Sequence, residues 1–342
     1  MKKRVVITGL GAITPLGIGV EESWQAICQG KSGVSMITKF DTSKFRTRIA
    51  GEVHGFNPLD FMDRKLARRS SRVIHFALAA AQMAMEDSKL MISYNDGNRF
   101  GVSIGTALGG IESLEKNEQL LLQGAQRRIS PFFVTSFIAN MAPGEIAIMF
   151  GAKGPNMCSV TACATGTHAI GDAFRVIQRG EADVMIAGGA EAGICPIMIA
   201  GLDALRVTSA RNDAPEKASR PFEKDRDGFV MSEGAGVMIL EELDFALNRG
   251  AKIYAEVLGY GFNNDAYHIT APDPDGEGAA NCMKMALNDA GISANKVDYI
   301  NAHGTATVLN DISEVRGIKN CLLYTSDAAD ELDGVDLGGR RI

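Results

Sequence analysis

No run of about eighteen consecutive uncharged apolar residues occurs in the 342-residue chain, so no segment reads as a membrane-spanning helix. Basic residues are not in excess: 35 Lys and Arg stand against 41 Asp and Glu, a net charge of -6. With a sequence pI near 5.5, this argues against general nucleic-acid binding, which calls for a basic domain. The six cysteines (Cys28, Cys158, Cys163, Cys195, Cys282 and Cys321) show neither close metal-ligand pairs nor a disulfide-like spacing. That suits a reducing compartment, and a cytoplasmic location without a bound metal is expected. Met1-Lys2-Lys3-Arg4 before VVITGLGAI has the charge order of a secretory signal, but the apolar part is short and broken by glycine, so a first strand is expected instead. The Gly-rich FGVSIGTALGG (100–110) has no Lys-Ser or Lys-Thr after its glycines, which leaves a phosphate loop poorly supported.

What the chain does have is 46% apolar and 22% charged content, enough for a large core and too much sequence for one average domain. RVVITG (4–9) reads as a buried strand ending in a glycine turn, and 21–29 as a helix closed by Gly30. Helices are expected over 77–85, 244–249 and 277–289, the last closing at Gly291. Strands are expected at the start of FGVSIGTALGG, in ADVMIAGGAEAG (182–193), in GVMILEEL and IYAEVLGY, and in VDYINAHGTAT (297–307). Strands alternating with helices around a sheet make an α/β protein. In DRKLARRSSR (63–72), Lys65, Arg68, Arg69 and Arg72 recur at helical spacing and would share one face. On an acidic chain that face is either solvated or a dock for an acidic partner, and Arg127 and Arg128 would extend it if they fold nearby. Pro131-Phe132-Phe133 and 137–150 read as core or as the wall of an apolar pocket.

The organising stretch is SVTACATGTHAIGDA (159–173). Ser159-Val160-Thr161 favours a strand, and Ala169, Ile170, Ala173, Phe174 and Ile177 follow at helical spacing. Cys163 therefore sits where a strand turns into a helix, where unpaired N–H groups and the macrodipole favour a thiolate. It is either a nucleophile or a small buried hydrophobe. His303, at the carboxyl end of an expected strand and followed by Gly304, Thr305 and Thr307, lies where open α/β sheets gather ligands. A lone histidine is more often structural, but a nucleophile needs such a partner.

VTACATG, DVMIAGGAEA, RPFEKDRDGFVMSEGAG (220–236), NDAYHITAP (264–272) and NAHGTAT occur in order over residues 1 to about 320. Together they resemble the β-ketoacyl-acyl-carrier-protein synthases of the type II elongating form. The resemblance implies a thiolase-like fold: two similar halves in αβαβα layers, forming a homodimer. It implies decarboxylative condensation of an acyl thioester with malonyl-acyl-carrier protein in fatty acid synthesis. Cys163 would store the acyl group and His303 would stabilise the enolate. No resident cofactor is implied, because phosphopantetheine arrives on the carrier protein. By the same resemblance Thr270, Thr305 and Thr307 line the pantetheine channel, and Leu108, Phe133, Met198 and Leu202 the acyl pocket. Lys65, Arg68, Arg69, Arg127, Arg128 and Arg206 face the carrier protein, and Glu314 organises water near the histidine.

The pattern divides into a first half over 1–250 holding Cys163 and the start of a second half over 251–320. Residues 321–342, CLLYTSDAADELDGVDLGGRRI, have no counterpart in the family and no apolar periodicity. They read as an unrelated tail from an assembly artefact, with the family's catalytic Lys and second His missing and the second half incomplete. Weak condensing activity of this chain is the resulting expectation. The rival readings are a cysteine hydrolase using Cys163 and His303, a non-catalytic chain-length subunit, which Cys163 speaks against, and a polyketide ketosynthase.

Overall fold

The structure, a computed structural model, describes residues 2–92 and 97–322. The tail expected over 321–342 lies outside the described residues except for Cys321 and Leu322, which end the last helix. The chain divides into two compact units: one takes residues up to 205, 210–217 and 230–257, the other 206–209, 218–229 and those from 258 onward.

The first unit is built on a mixed sheet. Its strands are β1 (Val5–Thr14), β2 (Gly17–Ile18), β5 (Phe100–Gly105), β6 (Asn156–Met157), β7 (Val184–Glu191), β8 (Gly234–Glu242) and β9 (Ala255–Val257). The order is β2-β1-β8-β7-β5-β6, with β9 also on β1. β5 is parallel to both β6 and β7, whereas β8 runs antiparallel to β7 and β1. A small hairpin of β3 (Ser35–Met36) and β4 (Ile49–Ala50) stands apart. The helices are α1 (Val20–Cys28), α2 (Arg64–Arg69), α3 (Arg72–Ser88), α4 (Ile111–Leu122), α5 (Phe133–Phe137), α6 (Met141–Phe150), α7 (Thr165–Gln178), α8 (Pro196–Leu205) and α9 (Leu243–Asn248).

Successive residues Val184, Met185, Ile186 and Ala187 of β7 are all buried. Neighbours in a strand point to opposite faces, so helices must cover this sheet on both sides, and the strands read as continuous apolar runs. α3 and α6 share one cluster with Val102, Ile104, Val184, Ile186, Val237 and Ile239. α7 packs on β5 and β7 through Ala169, Ala173, Phe174 and Ile177. The approach of α3 to β1 is at backbone distance: a Cβ at Gly9 or Gly11 would fall on the carbonyl oxygens of Ala84 and Ala80. Glycine is required there for contact rather than for conformation.

In the second unit α10 (Glu277–Ala290) and α11 (Val308–Leu322) pack on each other. Gly291 closes α10 at φ 66°, in the left-handed conformation that ends helices. The loop 218–229 joins this unit through the N–H of Gly228, which donates to the Ala306 carbonyl. Two expected strands differ. Of IYAEVLGY only Ala255–Val257 is a strand, and 297–307 forms none among the described residues. An apolar run becomes a strand only where a ladder partner lies beside it.

Candidate active site

Cys163 stands on a sharp elbow. The parallel ladder ends at Met157, where β6 pairs with Ser103, so the expected strand over 159–161 is irregular chain. One 3-10 turn, Ala162–Ala164, then leads directly into α7. Ala162 holds φ at 50°, a left-handed conformation that costs a non-glycine residue about 1–2 kcal/mol. Three contacts hold it there. The Thr161 N–H donates to Thr165 Oγ1 at 2.8 Å, Thr161 Oγ1 meets His168 Nδ1 at 2.7 Å, and the Ala164 N–H donates to the Thr161 carbonyl at 3.1 Å. Gly105 leaves room for this lock, because a Cβ there would run into Thr165.

The Cys163 side chain is exposed at the head of the helix, so the buried-hydrophobe reading fails. The other cysteines differ from it. Burial pushes the thiols of Cys158, Cys195, Cys282 and Cys321 up, and Cys28 is the last residue of α1, at the end where the dipole is negative. A cavity of about 490 Å³ opens beside the elbow, with Thr106, Ala162, Thr165, Gly166, Glu191 and Glu233 in its wall.

Both wall carboxylates escaped the sequence reading, although each lies in a quoted motif. At the end of β7, Glu191 accepts the N–H groups of Ala107, Leu108 and Ala192 at 3.0, 3.2 and 3.2 Å, and the Thr106 hydroxyl at 3.3 Å. Burial pushes its carboxyl up and outweighs those bonds. Glu233, only 3% exposed, behaves oppositely. Burial works against its charge, yet Arg72 and Lys39 together hold it below the usual carboxylate range. The available signal was an acidic residue at the tip of an otherwise apolar strand, which must find donors wherever it is buried.

His303 belongs to the second unit and is exposed. Its turn is gripped from α11. The N–H groups of His303 and Gly304 donate to the two carboxylate oxygens of Glu314 at 2.6 and 2.8 Å. The Ala306 N–H donates to buried Asp311 at 3.2 Å, and Ala306 sits at φ 61°. Thr305 and Thr307 face each other, hydroxyl to hydroxyl, at 2.8 Å. Thr270 is exposed, and its N–H donates to His268 Nδ1. Glu314, assigned to water by the resemblance, also accepts the Asn310 amide on the oxygen that holds the Gly304 N–H.

The basic stretch does not form one face. α2 ends at Arg69 and α3 begins at Arg72. Lys65 and Arg68 are exposed on α2, Arg69 pairs with Glu145 at 3.0 Å, and Arg72 turns inward to Glu233 at 2.8 Å while lying over the Phe76 ring. The Arg72 guanidinium is committed to a buried carboxylate instead of being held out on the α2 face. Arg127 and Arg128 are exposed on a separate 3-10 turn, and Arg206 is exposed in the second unit. Of the expected acyl-pocket residues, Leu108 lies against Gly193, which also abuts Met231. Phe133 stacks on Phe137 within α5 at 6.0 Å, and Met198 and Leu202 lie on α8, Leu202 buried.

Known proteins are similar to this chain in sequence and in fold. The chain matches the family Beta-ketoacyl synthase, N-terminal domain, over residues 2–246 and its C-terminal domain over 254–332. It is 54% identical to a 3-oxoacyl-[acyl-carrier-protein] synthase 2 of Synechocystis over 94% of this chain and 77% of that protein. The synthase 2 of Vibrio cholerae is 49% identical over 94% and 78%. A beta-ketoacyl synthase structure from Burkholderia phymatum superposes with a TM-score of 0.87 at 34% identity, covering 94% of this chain and 78% of that one. A type II polyketide ketosynthase, solved with its acyl-carrier protein and bound to a hexaketide, gives 0.85 at 39% identity with the same coverage. With family matches covering nearly all of the sequence, an α/β fold shared with solved ketosynthases and a cysteine elbow at its centre, the chain belongs to the beta-ketoacyl synthase family.

Proposed function

We propose that the chain lengthens acyl groups by two carbons in fatty acid biosynthesis, as a 3-oxoacyl-acyl-carrier-protein synthase of weak condensing activity with Cys163 as nucleophile. The observation that carries this is the exposed thiol on a locked elbow at the head of α7. The Cys163 thiolate attacks the carbonyl carbon of an acyl thioester, and the carrier's pantetheine sulfur leaves and takes up a proton. The acyl group is thereby stored as an enzyme thioester, which divides one hard step into easier ones. Malonyl-carrier protein then loses carbon dioxide. The electron pair of the broken C–C bond forms an enolate, and its carbon attacks the stored acyl carbonyl, releasing the β-ketoacyl product and the Cys163 thiolate. A neutral imidazole donor suits the enolate oxygen, and His303 is the residue proposed for it. The Cys163 N–H, in the turn that leads into α7, is the donor proposed for the oxyanion of the acyl carbonyl. Phosphopantetheine comes with the substrate, so the reaction asks for no resident cofactor.

Carrier docking is supported by the exposed Lys65 and Arg68, which can attract an acidic partner, and by the ketosynthase relative solved with its acyl-carrier protein. A homodimer in the cytoplasm is the assembly we assign. Exposed Val134, Ile138 and Ile148 are apolar surface that a second copy would cover, and among the described residues no helix is long and apolar enough to cross a membrane.

Incubating the protein with acyl-carrier protein loaded with a fatty acid tests the reading. Intact-mass and peptide analysis should find the acyl mass on the Cys163 peptide, and Cys163→Ala should abolish it. Release of free fatty acid without a stored acyl group would favour a hydrolase and refute the proposal.

A further inference from the structure

The turn that carries Leu108 is suspended between two supports. On one side the Gly110 N–H donates to the Phe137 carbonyl at 3.0 Å, and glycine is required at 109 and 110 because a Cβ would strike the carbonyls of Phe137 and Ser136. The α5 end of the turn is thus fixed by backbone contact. On the other side one carboxylate does the holding: Glu191 Oε2 accepts both the Ala107 and the Leu108 N–H, at 3.0 and 3.2 Å. Its Oε1 receives the Thr106 hydroxyl at 3.3 Å, and Thr106 Oγ1 in turn accepts the Gly109 N–H at 3.1 Å. Four consecutive residues, 106–109, are therefore tied directly or at one remove to a single side chain.

The same strand end sets where Leu108 can go. Two residues after Glu191, Gly193 lies so close to the Leu108 side chain that an added Cβ would sit 2.5 Å from its Cδ1 and 2.8 Å from Met231 Cε. The anchor of the turn and the surface that the Leu108 side chain rests on are thus one continuous piece of backbone. Glu191 also lines the cavity beside the Cys163 elbow. A half-buried carboxylate satisfied chiefly by backbone N–H groups is thus held at the wall of that cavity.

We infer that Glu191 is a positioning residue that fixes the wall of the acyl site, and so its chain-length selectivity, by holding the Thr106–Gly109 backbone that presents Leu108. The inference rests on the readings of Cys163 as the acyl acceptor and of Leu108 as wall of the acyl pocket. Removing the carboxylate leaves the α5 end of the turn anchored and its Ala107 end loose, so Leu108 moves relative to Gly193 and the depth of the site changes.

The test is the ratio of Cys163 acylation rates for an eight-carbon and a sixteen-carbon acyl-carrier protein, followed by intact mass. A ratio taken within one preparation is blind to loss of folded protein. Glu191→Ala should shift it at least fivefold from wild type, and Glu191→Gln, whose amide oxygen can still accept the two N–H groups, should restore most of the wild-type ratio. Should Glu191→Ala fail to fold, Glu191→Asp, one methylene short of the turn, carries the same expectation. Gly193→Ala, crowding Leu108 from the far side, should shift the ratio as well. Ratios within twofold of wild type in the Glu191→Ala or Glu191→Asp protein overturn the inference. Absence of acylation in the wild type would instead refute the function proposed above.

Discussion

Replacing Glu233 with glutamine should be among the most destabilising single changes in the first unit. The carboxylate is 3% exposed. Its Oε1 accepts Arg72 Nη2 at 2.8 Å and the Val53 N–H at 3.0 Å, and its Oε2 accepts Arg72 Nε at 3.1 Å and Lys39 Nζ. Glutamine keeps one acceptor oxygen and turns an NH₂ group toward two cations. Breaking a buried pair costs roughly 3–5 kcal/mol. Because the Lys39 and Arg72 side chains are each 24% accessible, water recovers part of that, and about 3 kcal/mol is expected. For a unit of this size the melting temperature should fall by about 6–12 °C. The pH dependence supplies a second arm. Arg72 and Lys39 hold the folded-state carboxyl low against the burial that opposes its charge. Its stabilisation is therefore fully present above the ordinary glutamate pKa of about 4.3 and is lost as pH falls through the lower folded value. Urea denaturation of wild type and Glu233→Gln should show a constant gap between about pH 7 and 5 that narrows only below about pH 4. A gap under about 1 kcal/mol at pH 7, or one that closes well above pH 5, refutes the reasoning. Replacing Lys39, Arg72 and Glu233 together with methionine should recover most of the loss, since a buried ionic group can be exchanged for well-packed apolar residues at little cost.

Other outcomes follow from the same geometry. Glu314→Gln places an amide NH₂ against one of the two N–H groups it now accepts. Because both donors can reach water, losing one such bond costs about 0.5–1.5 kcal/mol, so carbon dioxide release from malonyl-carrier protein should fall roughly 2- to 12-fold. An unchanged rate would remove Glu314 from the support of His303. Reversing Lys65 and Arg68 to Glu should raise the Michaelis constant for acyl-carrier protein far more than for an acylated pantetheine mimic, with the difference shrinking at high salt. Equal effects on both substrates would count against docking on α2.

Elements whose signal is local were legible in the sequence. RVVITG announces the start of β1 because a strand buried on both faces is a continuous apolar run, although the turn expected at Gly9 is absent and the strand runs on to Thr14. Gly291 announces the end of α10 because a left-handed cap favours glycine. The expected 77–85 helix grows to Arg72–Ser88 because its first turn is disguised. Arg72 looks like surface but is paired with Glu233, a partner 161 residues away. The break between α2 and α3 had a local sign, since Ser70-Ser71 is a helix-start signal, and it was overridden by the spacing of the basic residues. Cys163 and His303 were singled out because thiols and imidazoles are scarce and their chemistry is distinctive. Glu191 leaves no such mark, because its meaning lies in N–H donors 84 and 83 residues away, which no local pattern reports.

The bare contact of α3 with β1 at Gly9 and Gly11 has a mechanical consequence. Side chains in ordinary interfaces yield by changing rotamer, but here main chain rests on main chain, so the helix is a post of fixed height. Arg72, on its first turn, is thereby delivered to Glu233, whose neighbouring residues Gly234 and Ala235 begin the strand lining the cavity beside Cys163. A methyl group added at Gly11 would tilt the post and disturb the cavity beside Cys163 from two sides, through Arg72 and through the adjoining Ala12 and Ile13 of its wall.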